Sequence, residues 1–132
     1  MSRPNLGRLA AGLALVGCGL ATIAVARANS GDPAKGAAVF DDRCSACHSI
    51  KDNLQGPRLG GVVGRKAGSV AGVDYTDAMK ASGIVWTPDK LDQFLLGPDK
   101  LVPGTAMPAS VPDAAERRDL IAYLVSTSAT GQ

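Results

Sequence analysis

The residues best equipped for chemistry lie together at Cys44-Ser45-Ala46-Cys47-His48. Two thiols three positions apart fall on one face of a helical turn, at a spacing suited to thioether bonds with two vinyl groups of one porphyrin. The imidazole that follows is placed to ligate the iron. A structural zinc site would need four ligands, but the sequence holds only one further cysteine, Cys18, and no second histidine. A thioredoxin-like redox pair would sit between a strand and a helix, and no βαβ rhythm surrounds these positions. The motif therefore points to one covalently bound haem c with His48 as an axial iron ligand.

A second axial ligand must come from elsewhere in the chain. Its three methionines are Met1, Met79 and Met107. Met1 belongs to the N-terminal leader described below, and Met79 falls on a short amphipathic stretch where core packing is the simpler role. Met107 lies in an irregular, proline-flanked segment that can bend over the iron, and is the expected ligand. Imidazole with thioether favours ferrous iron, and an apolar pocket disfavours the extra charge of ferric iron, so the potential should be high. With both axial positions filled the iron has no open site for substrate. The expected role is an electron carrier and not an enzyme.

The elements that must position these groups follow from the pattern along the chain. Arg3 and Arg8 precede an uncharged run of eighteen residues, Leu9 to Ala26, which reads as an export signal. Ala26-Arg27-Ala28 supplies small residues at both positions that a leader peptidase inspects, so the expected mature domain spans 29–132. The run also just reaches the length that spans a bilayer, which leaves an uncleaved anchor as an alternative. Leu15-Val16-Gly17-Cys18 resembles a lipobox, a third fate for the same segment. Three of the fourteen basic residues but none of the twelve acidic ones lie in residues 1–28, so the remaining domain carries a net charge of −1. Nucleic acid is thereby disfavoured as a partner.

In the expected mature domain, Asp32-Pro33 starts a helix whose Val39 and Phe40 lead into the attachment motif, with its end near His48. Residues 49–72 are broken by six glycines and one proline, Pro57, and read as a loop wrapping one haem edge. A short helix is expected over Thr76 to Ser82, and another from Thr87-Pro88 to Gly97 with Leu91, Phe94 and Leu95 as its apolar stripe. Pro98 to Pro112 reads as irregular. Asp113 opens a last helix with Leu120, Ile121, Leu124 and Val125 as its seam. No segment reads as a strand, so the domain is expected to be all-α, a modest core completed by a buried porphyrin.

From Gly31 to the last helix, the chain resembles the class I c-type cytochromes, the group that includes the mitochondrial protein and its α-proteobacterial relatives. Gly56-Pro57-Arg58-Leu59, Gly64-Arg65-Lys66, Tyr75-Thr76-Asp77-Ala78, Trp86, Pro103-Gly104-Thr105-Ala106-Met107 and Asp119-Leu120-Ile121-Ala122-Tyr123-Leu124 carry the resemblance. It implies four to five helices around one haem, with Gly36 and Phe40 crossing Leu120 and Tyr123. It also implies that the Pro57 carbonyl orients His48, and that Arg65, Tyr75, Thr76, Trp86 and Thr105 surround the propionates. Met79 stands where the family usually has an amide, and Phe94 where it has a tyrosine, which implies a smaller buried polar network. Asp99, Ala106 and Ala109 replace basic or aromatic residues of the mitochondrial haem edge, while Arg43 and Lys100 keep their charge. The implied setting is periplasmic. The expected protein is a monomer that shuttles electrons from a quinol-oxidising cytochrome bc complex to a terminal oxidase or photosynthetic reaction centre, touching membranes only through those partners unless the leader is uncleaved and anchors it on the periplasmic side.

Overall fold

The computed structural model describes residues 30–129. The readings of the first 28 residues, including the cleavage site, anchor and lipobox, lie outside them. Five helices follow one another among the described residues: α1 (Pro33–Arg43), α2 (Asp77–Ala81), α3 (Pro88–Leu96), α4 (Pro98–Leu101) and α5 (Ala114–Ala129). No strand forms there, and β-type pairing is confined to one bridge between Lys66 and Val85.

Local chemistry sets most helix starts. The Asp32 carboxylate accepts from the amides of Ala34 (2.8 Å) and Lys35 (3.3 Å), with Pro33 at the first helical position. Thr76 and Thr87 cap α2 and α3 through their hydroxyls, at 3.2 Å to Met79 N and Lys90 N respectively. Asp113 does the same for α5, accepting from Glu116 N at 2.9 Å. Those amide hydrogen bonds hold its carboxyl below the usual range, so the cap is strongest once Asp113 is ionised and weakens as acid protonates it.

Three expectations are corrected. The first helix ends at Arg43 rather than near His48, because the Ser45 hydroxyl donates to the Asp41 carbonyl (2.6 Å) and the backbone tightens into a turn over 44–47. The segment read as wholly irregular after Pro98 contains the one-turn helix α4, opened by Pro98 and closed when Val102 N donates to Pro98 O at 2.9 Å. Val125 is 41% exposed, so the buried seam of α5 is Leu120, Ile121 and Leu124.

The scaffold is organised by the crossing of α1 on α5. A β-carbon at Gly36 would lie 2.6 Å from Asp119 C and 2.8 Å from Tyr123 Cβ, and closer still to the Asp119 carbonyl oxygen. Beside this contact the rings of Phe40 and Tyr123 pack with centroids 5.7 Å apart. The Asp32 amide donates to Asp119 Oδ1 at 2.8 Å, and Arg43 meets Glu116 at 2.8 Å, so both ends of α1 are tied to α5. Gly36→Ala is expected to force the helices apart and to destabilise the folded protein by about 1–3 kcal/mol. A lower denaturant midpoint at unchanged slope would record it.

Candidate haem site

The turn after α1 carries the attachment motif. Cys47 N and His48 N both donate to Cys44 O, at 3.1 and 2.9 Å, which keeps the two cysteines and the histidine in one compact bend. Burial pushes the Cys44 thiol up to about 11, while the nearby Arg43 charge opposes the rise. Cys47 is exposed.

His48 is fixed from two sides. Its Nδ1 lies 2.7 Å from the Pro57 carbonyl oxygen. A carbonyl can only accept, so Nδ1 carries the proton and the lone pair is left on Nε2, the atom free to bind a metal. Gly56 supports the ring from below. A β-carbon there would lie 2.8 Å from Nδ1 and 2.9 Å from Nε2, and would collide with Cε1. The loop is held in that position by Gly56 N donating to Cys47 O (2.8 Å).

All ten sequence-selected residues line one cavity of about 490 Å³: Cys44, Cys47, His48 and Pro57 from the attachment region, Arg65, Tyr75, Thr76 and Trp86 from the middle of the chain, and Thr105 and Met107 from the segment after α4. This volume lies within the range of roughly 300–1,000 Å³ common for cofactor sites. Its walls are largely apolar, formed by Leu91, Phe94 and Leu95 of α3, Leu120 and Leu124 of α5, and Leu59 and Val62 of the intervening loop. Leu59, Val62, Leu120 and Leu124 were not selected as site residues from sequence. An aliphatic side chain facing a porphyrin has the same sequence signature as one facing a protein core.

The polar groups are few. The Arg65 guanidinium donates to Arg58 O at 2.7 Å and to Gly60 O, and burial together with the Arg58 charge lowers its pKa from the ordinary arginine value. Trp86 packs against Phe94 with ring centroids 5.0 Å apart. The Thr76 hydroxyl oxygen accepts from Met79 N in the α2 cap, which leaves its O–H free to donate, and Thr105 Oγ1 accepts from Met107 N at 3.4 Å. Met79, 8% exposed, joins the apolar wall, so neither it nor Phe94 adds a hydrogen-bonding group at the positions where the family usually has one.

The donor set fits a covalently bound haem. Paired thiols, an imidazole with its metal-binding nitrogen free, a thioether and an enclosing apolar wall share one cavity, with a guanidinium at its border. An all-α domain with such a site defines the class of small haem proteins that carry electrons.

Comparison with known proteins makes the assignment specific. The family model for cytochrome c matches residues 33–128, and this chain belongs to that family. Cytochrome c of Gibberella zeae is 50% identical over 98 residues, which cover 71% of this chain and 92% of the relative. Cytochrome c of Arabidopsis thaliana is 47% identical over 98 residues, covering 71% and 88%. Among solved structures, cytochrome cH from Methylobacterium extorquens superposes with a TM-score of 0.69 at 44% identity, covering 73% of this chain and 99% of that one. The fold is the class I cytochrome c fold, the cofactor is one covalently attached haem c, and the protein transfers electrons rather than turning over a substrate.

Proposed function

We propose that this cytochrome is an exported one-electron carrier whose iron is held by His48 and Met107, with Cys44 and Cys47 forming the thioethers. The observation that carries the reading is the placing of all four side chains on one cavity, with His48 Nδ1 committed to Pro57 O at 2.7 Å. The bound haem supplies reversible one-electron chemistry between ferrous and ferric iron. The chain's own contribution is to orient the imidazole through Pro57 and Gly56, to present the Met107 thioether, and to exclude water with the aliphatic wall of α3 and α5. Arg65, Tyr75, Thr76, Trp86 and Thr105 are assigned to the propionate side of the pocket. With His48 and Met107 both holding it, the iron would be closed to exogenous ligands and would keep a high potential.

The N-terminal segment is proposed to be a signal peptide cleaved before Asn29, which places the carrier in the periplasm. The reductant is proposed to be a quinol-oxidising cytochrome bc complex, and the oxidant a terminal oxidase or photosynthetic reaction centre. The near-neutral charge of residues 29–132, together with Asp99 and Ala106 near the segment that bears Met107, argues against docking through a ring of positive charge.

Met107→Ala is expected to keep haem covalently attached, since Cys44 and Cys47 are untouched. It should lower the potential by a sizeable fraction of the roughly 0.8 V that axial ligation spans, and allow carbon monoxide to bind the ferrous protein. Voltammetry and optical titration read both, and an unchanged potential in Met107→Ala alongside a changed one in Met79→Ala would reverse the ligand assignment. Intact-mass measurement of the exported protein is expected to give a chain starting at Asn29, against a full-length product or one starting at a lipidated Cys18. Stopped-flow reduction and oxidation with candidate partners should depend only weakly on ionic strength, whereas a steep loss of rate on adding salt would reveal a basic docking patch.

A further inference from the structure

We infer that Asp92 and Arg117 act together as positioning residues for Met107, holding closed the segment that presents it to the iron. The inference rests on the reading of Met107 as an axial ligand. Arg117 is the one charged side chain buried among the described residues, at 7% exposure, and neither its position on an amphipathic helix nor the haem chemistry accounts for that burial. From α5 its Nε donates to Asp92 Oδ1 on α3 at 2.8 Å. Its Nη1 donates to two carbonyls at the exit of the Met107 segment, Val111 O at 3.0 Å and Pro112 O at 2.9 Å. Val111 itself donates from its amide to Leu95 O on α3 at 2.7 Å. The exit is thus pinned to both helices through one guanidinium.

The stretch that carries the thioether is held far more lightly. Over residues 106–110 the hydrogen bond found is the 3.4 Å contact from Met107 N to Thr105 Oγ1, two residues away on the same segment. Pro108 has no amide to donate. Met107 and Ala109 border both the haem cavity and an adjoining cleft of about 280 Å³ that also touches Ser110 and Val111. Where Met107 sits is therefore governed by how firmly the two ends are fixed.

Arginine suits this task because its fork is planar, so fixing Nε also aims Nη1. Without Asp92 the guanidinium becomes a buried cation with no counter-charge, a costly arrangement that it escapes by turning to water. Val111 and Pro112 then lose their donor, and states with Met107 off the iron gain population. The apparent affinity for an added iron ligand rises in proportion to that population.

The test titrates ferric holoprotein with imidazole, following loss of the thioether-to-iron charge-transfer band, and measures global denaturation on the same samples. Asp92→Ala is expected to bind imidazole about tenfold more tightly, the scale of one lost hydrogen bond to a charged group. Asp92→Asn, which keeps the side chain's size, should shift the same way. Asp92 is about half exposed, so both variants should fold. Ile121→Val serves as the comparison, since it removes one buried methylene from α5 and lowers stability while leaving every hydrogen-bonding group of the clamp in place. The inference is overturned if Asp92→Ala titrates like the parent, or if Ile121→Val tightens imidazole binding as much. Met107→Ala separates the two readings. Retention of the band in that variant would sink the ligand assignment itself, while its loss beside a parent-like Asp92→Ala would remove the clamp alone.

Discussion

The carbonyl of Asp119 occupies the place that a β-carbon of residue 36 would need, and the rest of the domain is arranged around that approach. It lets the backbone of α1 at Gly36 lie directly against the backbone of α5 at Asp119. Because α1 runs directly into the Cys44 turn, and Leu120 and Leu124 of α5 line the same cavity, the crossing sets where the covalent attachment stands relative to one apolar wall. Phe40 against Tyr123 and Arg43 against Glu116 extend the contact along α1. The ion pair is partly exposed and adds little, so close packing supplies most of what holds the crossing.

This frame joins segments more than eighty residues apart, and its α5 contributes Leu120 and Leu124 to the lining of the haem cavity. Closing so long a loop costs entropy early, and the return comes from burying apolar surface late. A domain with two phenylalanines, two tyrosines and one tryptophan has few large side chains with which to obtain that return by itself. Covalent haem answers the shortage, since Leu91, Phe94 and Leu95 of α3 and Leu120 and Leu124 of α5 line the cavity that would hold it. Stability and redox chemistry consequently depend on the same surfaces.

What could be read from the sequence was what is encoded locally. Asp32-Pro33, Thr76, Thr87-Pro88 and Asp113 announce helix starts because each cap is satisfied within three residues, and Gly97 follows α3 as expected. The end of α1 was misplaced because a single hydroxyl, that of Ser45, turns back onto the Asp41 carbonyl and competes with continued helix. The exposure of Val125 and the burial of Arg117 could not be anticipated from periodicity, since each depends on what another segment places beside it. Arg117 is the sharper case, because the groups that make its burial tolerable are a carboxylate 25 residues earlier and two carbonyls with no side-chain signature. The candidate site was legible to the extent that CxxCH names its own chemistry and the family resemblance supplied the pocket residues. Its aliphatic wall was not, for want of any sequence mark that distinguishes a haem contact from a core contact.

The way α1 is held also fixes a direction. The chain enters the domain at Asp32, beside α5, whereas the attachment turn begins eleven helical residues later, about 16 Å along the axis. Whatever precedes the domain joins it at the opposite end of α1 from the cysteines. The end of α1 that leads to the exposed Cys47 is therefore about three helical turns removed from the point where the chain enters the domain.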